Sequence, residues 1–128
     1  MKYLKFFSEG FHVFEDVRHD ASRALRLNIS GHGIARGKMA NVEFGPMGPE
    51  KLISILYKYF RHAMPRYRHI SLLFCHSAGR DEYGNSFAAS FSRLLPNSAQ
   101  VIVEAYQGVI DVTRTHYSRT TNSFEDIS

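Results

Sequence analysis

The chain has a single cysteine, Cys75, among its 128 residues. That excludes an intrachain disulfide and any cysteine-rich zinc site. A lone free thiol fits a reducing compartment without proving one. No apolar run approaches the ~20 residues of a membrane-crossing helix, so no membrane span is expected. The opening residues, MKYLKFFSEGFHVF, start with charge but offer neither a continuous apolar core nor a small-residue cleavage site. No cleavable signal peptide is expected. RNP, zinc-finger and arginine-rich motifs are missing, and a formal charge of +4 tolerates an anionic partner without demanding one. A nucleic-acid partner is therefore not expected. Tryptophan is absent, but ten Phe and seven Tyr supply aromatic bulk. Internal repeats, low-complexity tracts and domain boundaries are lacking as well.

What is present is the composition of one ordinary globular domain. With 44% hydrophobic and 22% charged residues, disorder is not the default. Tyr3 to Phe7 and Phe11 to Phe14 are short aromatic-rich runs about Ser8-Glu9-Gly10, read as a hairpin or as one strand and a loop. Asp16 and Asp20 are possible caps in the polar stretch that follows, and residues 1–24 as a whole are expected to be irregular. Leu25 to Ser30 alternates Leu25, Leu27 and Ile29 against Arg26 and Asn28, a strand less completely buried than the next one. Ile34 to Val42 reads as a loop, with a possible hairpin ending at Phe44. Pro49 suits the first position of a helix and Glu50 its first turn. Leu52, Ile55, Leu56, Tyr59, Phe60 and Ala63 then keep a helical period as far as Pro65.

Ile70 to Phe74 is a short apolar run that delivers Cys75. Phe87, Ala88, Phe91, Leu94 and Leu95 predict a second helix over about Asn85 to Leu95, stopped by Pro96. Its apolar contacts are expected through Phe87, Phe91 and Leu94, and those of the first helix through Leu52, Ile55, Leu56 and Tyr59. Val101 to Ala105 and Val109 to Arg114 read as further strands. Thr115 to Ser128 is polar and expected to fray. The alternation of strands and helices predicts an α/β fold, a mainly parallel sheet with helices on both faces.

Two of these strands end alike. Leu25 to Ser30 delivers Gly31-His32-Gly33, and Ile70 to Phe74 delivers Cys75. Open α/β sheets hold their ligands at the carboxyl ends of strands. A thiol attacks a carbonyl as thiolate, and a neighbouring imidazole is the usual means of making one. His32 therefore suits the role of general base and acid, and Cys75 that of nucleophile. Gly33 would let the backbone approach a substrate closely. The N–H groups of Gly33 and Cys75 could stabilise an oxyanion.

A hydrophobic strand ending in His-Gly, followed by another ending in the nucleophilic Cys, resembles the caspase-like cysteine peptidases of clan CD. Within them the chain is most similar to the cysteine protease domains of large bacterial toxins and related effectors. LRLNISGHG, VEFGPMGPEKLISIL, HISLLFCHSAG, FAASFSRLL and VIVEAYQGVI carry the likeness, from about Leu25 to Ile110. The resemblance implies a single three-layer sandwich over residues 1–128, with His32 and Cys75 as a dyad cutting a peptide or protein substrate. It implies a cytoplasmic protein or a secreted effector. It also implies activation by a polyanion, inositol hexakisphosphate, on a basic surface away from the dyad. Arg36, Lys38, Arg66, Arg68 and Arg114 are the candidates for that surface, with Arg61 and Arg119 beside them. His76 follows the nucleophile as a loop histidine with a possible substrate contact.

Other readings stay open. Cys75-His76-Ser77-Ala78-Gly79 resembles a nucleophile elbow that lacks its first glycine, with Ser77 as nucleophile and Asp111 and His116 following in hydrolase order. In that reading Gly31-His32-Gly33 would serve the oxyanion. A third reading is a catalytically inactive caspase-like domain that binds a partner. His62, His69 and His76 recur at sevenfold spacing across a helix end, a loop and a strand end, so no metal site is expected.

Overall fold

The computed structural model describes residues 1–18, 23–34, 38–40, 45–75, 77 and 84–106, and the backbone alone of 110–112, 117–119 and 124–127. Among the described residues ten strands and two α-helices follow one another as β1 (Lys2–Phe7), β2 (Phe11–Val17), β3 (Leu25–Ser30), β4 (Gly33–Ile34), β5 (Lys38–Met39), α1 (Pro49–Phe60), β6 (His69–Leu73), α2 (Phe87–Leu94), β7 (Ile102–Tyr106), β8 (Ile110–Val112), β9 (Tyr117–Arg119) and β10 (Phe124–Ile127). Six strands form one sheet in the order β1-β2-β3-β6-β7-β10. Its centre, β3-β6-β7, is parallel, whereas β1-β2, β2-β3 and β7-β10 are antiparallel. The α/β class stands; the sheet, expected to be mainly parallel, is mixed, with the parallel pairs in its middle.

The helices form where local chemistry starts and stops them. Pro49 opens α1 without losing a needed N–H, Glu50 meets the positive helix end and Lys58 the negative one. Leu52, Ile55 and Leu56 are buried. The helix gives way at Arg61 to a 3-10 turn, Met64–Arg66, containing Pro65. In α2 the Ser86 hydroxyl accepts a hydrogen bond from the Ala89 N–H at 3.0 Å, a side-chain N-cap. Both helices share one apolar cluster with Leu27, Ile29, Ile70, Leu72, Phe74, Val103 and Ala105. These are the alternate residues of β3, β6 and β7, so α1 and α2 lie on the same face.

Helices on both faces are therefore not found among the described residues. The reason is the residues of the opposite face. Asn28, Ser71 and Glu104 are buried there, and a helix laid over them would have to strip polar groups without replacing their partners. Leu73, Tyr106 and Phe14 make a small apolar cluster further along the same face.

Four other expectations are corrected. Residues 2–17 are not irregular: β1 and β2 make a hairpin turned at Gly10, whose φ of +110° a side chain would resist. Asp16 lies inside β2 rather than capping a helix. The two outermost helix contacts also fail, since Tyr59 is 53% and Leu94 44% exposed, while Leu95 takes the buried place at the end of α2. The polar tail carries backbone strands, β10 pairing antiparallel with β7. Asp20, Val42 and Phe44 lie outside the described residues.

Candidate active site

Residue pairing across β3 and β6 runs from Arg26↔His69 to Ser30↔Leu73, a constant offset of 43 positions. His32 and Cys75 are separated by the same 43 positions. Each stands two residues beyond the last pair, at the carboxyl end of its strand. The Gly31 N–H still reaches the Leu73 carbonyl, at 3.4 Å, so the two chains stay together past the ladder. Gly33 shows how closely. A Cβ built on it would lie 1.7 Å from the Cys75 carbonyl oxygen and 3.0 Å from the Phe74 ring. No side chain fits there. The glycine that was read as leaving room for a substrate leaves room for the backbone of Cys75.

The turn that holds Cys75 is pinned from behind. The Ser77 N–H bonds the Phe74 carbonyl at 3.2 Å, closing a β-turn with Cys75 at its first corner. The Ser77 hydroxyl donates to the Leu72 carbonyl and accepts from the Tyr106 N–H, both at 2.9 Å. Its own carbonyl accepts from the Ala88 N–H at 3.1 Å. One small residue thus ties the ends of β6 and β7 to the start of α2. Phe74 and Phe87 meet edge to face, with ring centres 5.1 Å apart, on the helix side of the same turn.

Exposure separates the candidates. Cys75 is a free, half-buried thiol. His32 is exposed, and its carbonyl accepts from the Ala40 N–H at 2.7 Å. Ser77 is fully buried with its hydroxyl bonded on both sides, so no substrate reaches it as a nucleophile. Its role is positional, which sequence alone did not show. His76, His116 and the side chain of Asp111 lie outside the described residues.

The basic candidates do not converge. Lys38 reaches the start of α1, its Nζ 3.7 Å from where a Cβ on Gly48 would sit. Arg61, Arg66 and Arg68 follow the other end of α1, and all three are exposed. The helix has 12 residues, about 18 Å at its usual rise. Arg36, Arg114 and the side chain of Arg119 are outside the described residues. His62 is exposed at the end of α1, and His69 is buried in β6. Among the described residues no group of three metal-ligating side chains occurs.

What sequence reasoning missed is a polar cluster on the helix-free face. Glu104, 1% exposed, accepts from Arg18 Nη1 at 2.5 Å, from Ser71 Oγ at 2.8 Å and from Arg26 Nη1 at 3.3 Å. Arg26 also grips Asp16 through two bonds, of 2.8 and 2.5 Å. Arg18 Nη1 donates to His69 Nδ1 at 2.9 Å. An arginine N–H can only donate, so that ring nitrogen is an acceptor, and its 3.3 Å approach to Glu104 is not an ion pair. Burial works to raise the Asp16 pKa, but hydrogen bonds from Arg26 and Asn28 outweigh it and hold the carboxyl below its usual range. The available signal was Glu104 in the middle of the apolar run VIVEAY.

The arrangement places an imidazole and a thiol on adjacent strand ends, above a rigid, cross-linked turn. No protein-family model, curated protein or solved structure matches this chain.

Proposed function

We propose that the chain is a cysteine endopeptidase working through His32 and Cys75. The observation that carries this is the register: two adjacent parallel strands deliver the two residues at the same pairing offset, with the backbone of Gly33, next to His32, close against that of Cys75. In the proposed reaction the His32 imidazole takes the thiol proton, and the thiolate attacks a peptide carbonyl. The carbonyl π electrons move to oxygen, and backbone N–H groups of the two strand ends meet that oxyanion. The imidazolium then gives its proton to the leaving amine, and the thioester left on Cys75 is released by water with the same imidazole as base. Ser77 and Gly33 hold the turn in place and take no part in the proton transfers.

One observation favours a binding domain without this chemistry. Among the described residues no side chain hydrogen-bonds the His32 ring, whereas a catalytic base is commonly oriented by a third group. The deciding experiment is exposure to a peptide library followed by mass spectrometry, with Cys75→Ala as control. Peptide cleavage by the wild-type chain that Cys75→Ala abolishes supports the peptidase. Identical peptide profiles in both proteins support the binding domain.

A further inference from the structure

Between Glu50 and Asp81 the sequence contains no carboxylate, yet it carries Lys51, Lys58, Arg61, Arg66, Arg68 and Arg80. The structure gathers part of this excess at the C-terminal end of α1. A groove of about 750 Å³ runs there, lined by Ser54, Tyr57, Lys58, Tyr59, Arg61 and His62 among others. Lys58, Arg61 and His62 are exposed. A further cation comes from a different element. Lys5, on β1, places its Nζ 5.1 Å from the Tyr59 ring centre, and Lys58 stands 5.6 Å from the same ring. Tyr59 itself is braced edge-on by Phe7, at 5.2 Å, and remains 53% exposed.

Two ammonium groups on one ring repel each other, and the π face offsets only part of that. Among the described residues neither Lys5, Lys58 nor Arg61 has a carboxylate partner. A phosphate placed between them would remove the repulsion. The exposed Tyr59 ring then asks for a flat, unsaturated group next to that phosphate. A cationic groove with aromatic platforms is the arrangement that binds single-stranded nucleic acid: cations follow the backbone and bases stack on rings. A flat bilayer surface would meet the cations but could not enter a groove. We infer that this groove is a docking surface for single-stranded nucleic acid, formed by Lys5, Lys58, Arg61 and His62 around the exposed Tyr59 ring. The sequence showed only a modest net charge. The fold makes the surface by bringing β1 beside α1 and leaving the acids elsewhere. The site is independent of Cys75 and of the proposed proteolysis.

The test is fluorescence anisotropy of a labelled oligouridylate, about 20 nucleotides long, titrated with the full chain at about 50 and about 200 mM NaCl. Wild type should bind, and more weakly at the higher salt. The double variant Lys58→Ala/Arg61→Ala should flatten the salt dependence by about 1.4 in log–log slope, roughly 0.7 for each phosphate no longer neutralised. Tyr59→Leu should weaken binding about tenfold or more while keeping the wild-type slope, because stacking is lost and charge is not. Arg93→Gln, an exposed cation on α2, should change affinity by less than about twofold. Circular dichroism melts on each variant separate lost binding from lost folding. No anisotropy change at tens of micromolar protein in low salt would overturn the inference. So would a Tyr59→Leu isotherm superimposable on wild type. Displacement of the oligonucleotide as readily by polyglutamate, or tighter binding to phosphatidylserine vesicles lost in the same variants, would also overturn it, in favour of an acidic protein or a membrane.

Discussion

On one face of the central sheet Leu27, Ile29, Ile70, Leu72 and Val103 meet two helices. On the other face, one residue along the same strands, stand Asn28, Ser71 and Glu104: Asn28 donates to Asp16, and Glu104 accepts from Ser71 and from two arginines, one of them also bonded to His69. Both sets are buried. The first face is held by area, which is non-directional and indifferent to pH. The second is held by donors and acceptors that must each find a partner, so it is sensitive to the loss of any one of them. Strand alternation lets one sheet carry both kinds of interior, and the candidate dyad sits at the edge where they meet. Phe74, before Cys75, packs on the apolar side. The bonds of Ser77 anchor the turn to the ends of β6 and β7.

The comparison can be broken from either side. Phe91 is fully buried in the helix-covered cluster, and Phe91→Ala should cost about 3–5 kcal/mol in urea unfolding. A loss under about 1 kcal/mol would mean that α2 does not bury this face. Glu104→Gln leaves Arg18 and Arg26 short of their shared acceptor and should cost about 3 kcal/mol, the low end for a broken buried pair because Arg18 keeps 26% exposure. If the loss came from missing packing area rather than unpaired charge, adding Arg18→Met would deepen it. The polar account predicts partial recovery instead. Gly33→Ala should cost roughly 1–3 kcal/mol, since the new methyl must push the Cys75 carbonyl away. A melt unchanged from wild type would show that this approach is looser than the geometry indicates.

The smallest effect is the pH dependence. Asp16 has a lowered pKa in the folded chain. It therefore contributes stability above its unfolded value, about 3.9, and loses it as pH falls through the lower folded value. Asp16→Asn should flatten the acid limb of stability against pH below about pH 4 and leave the slope near neutrality unchanged. Equal acid limbs in the two proteins would remove Asp16 from the cluster's energetics.

Much of the frame was legible because it rests on local rules. Pro49 and Glu50 announced α1, and the apolar runs announced β3, β6 and β7. The 43-position separation of His32 and Cys75 was readable, but its identity with the strand register was not, because pairing is set by tertiary packing. The N-terminal hairpin was half seen, since Gly10 marks a turn without saying that β1 will extend the sheet. Helices on both faces were expected from the alternation of elements. That rule cannot see a buried Glu104 that accepts from Ser71, Arg18 and Arg26, or an Asn28 that donates to Asp16. Tyr59 and Leu94 kept the helical period but stay exposed. Basic residues could be counted in the sequence, and only the fold shows that Lys38 stands apart from Arg66 and Arg68.

The central claim is that His32 activates Cys75, and iodoacetamide labelling against pH tests it most directly. An ordinary thiol, with a pKa near ~8.5, is almost unreactive at about pH 6. The account predicts that wild type labels at Cys75 there, and that His32→Ala abolishes the reaction at about pH 6 while leaving the melting curve in place. Superimposable pH profiles for wild type and His32→Ala, rising only toward alkaline pH, would contradict it.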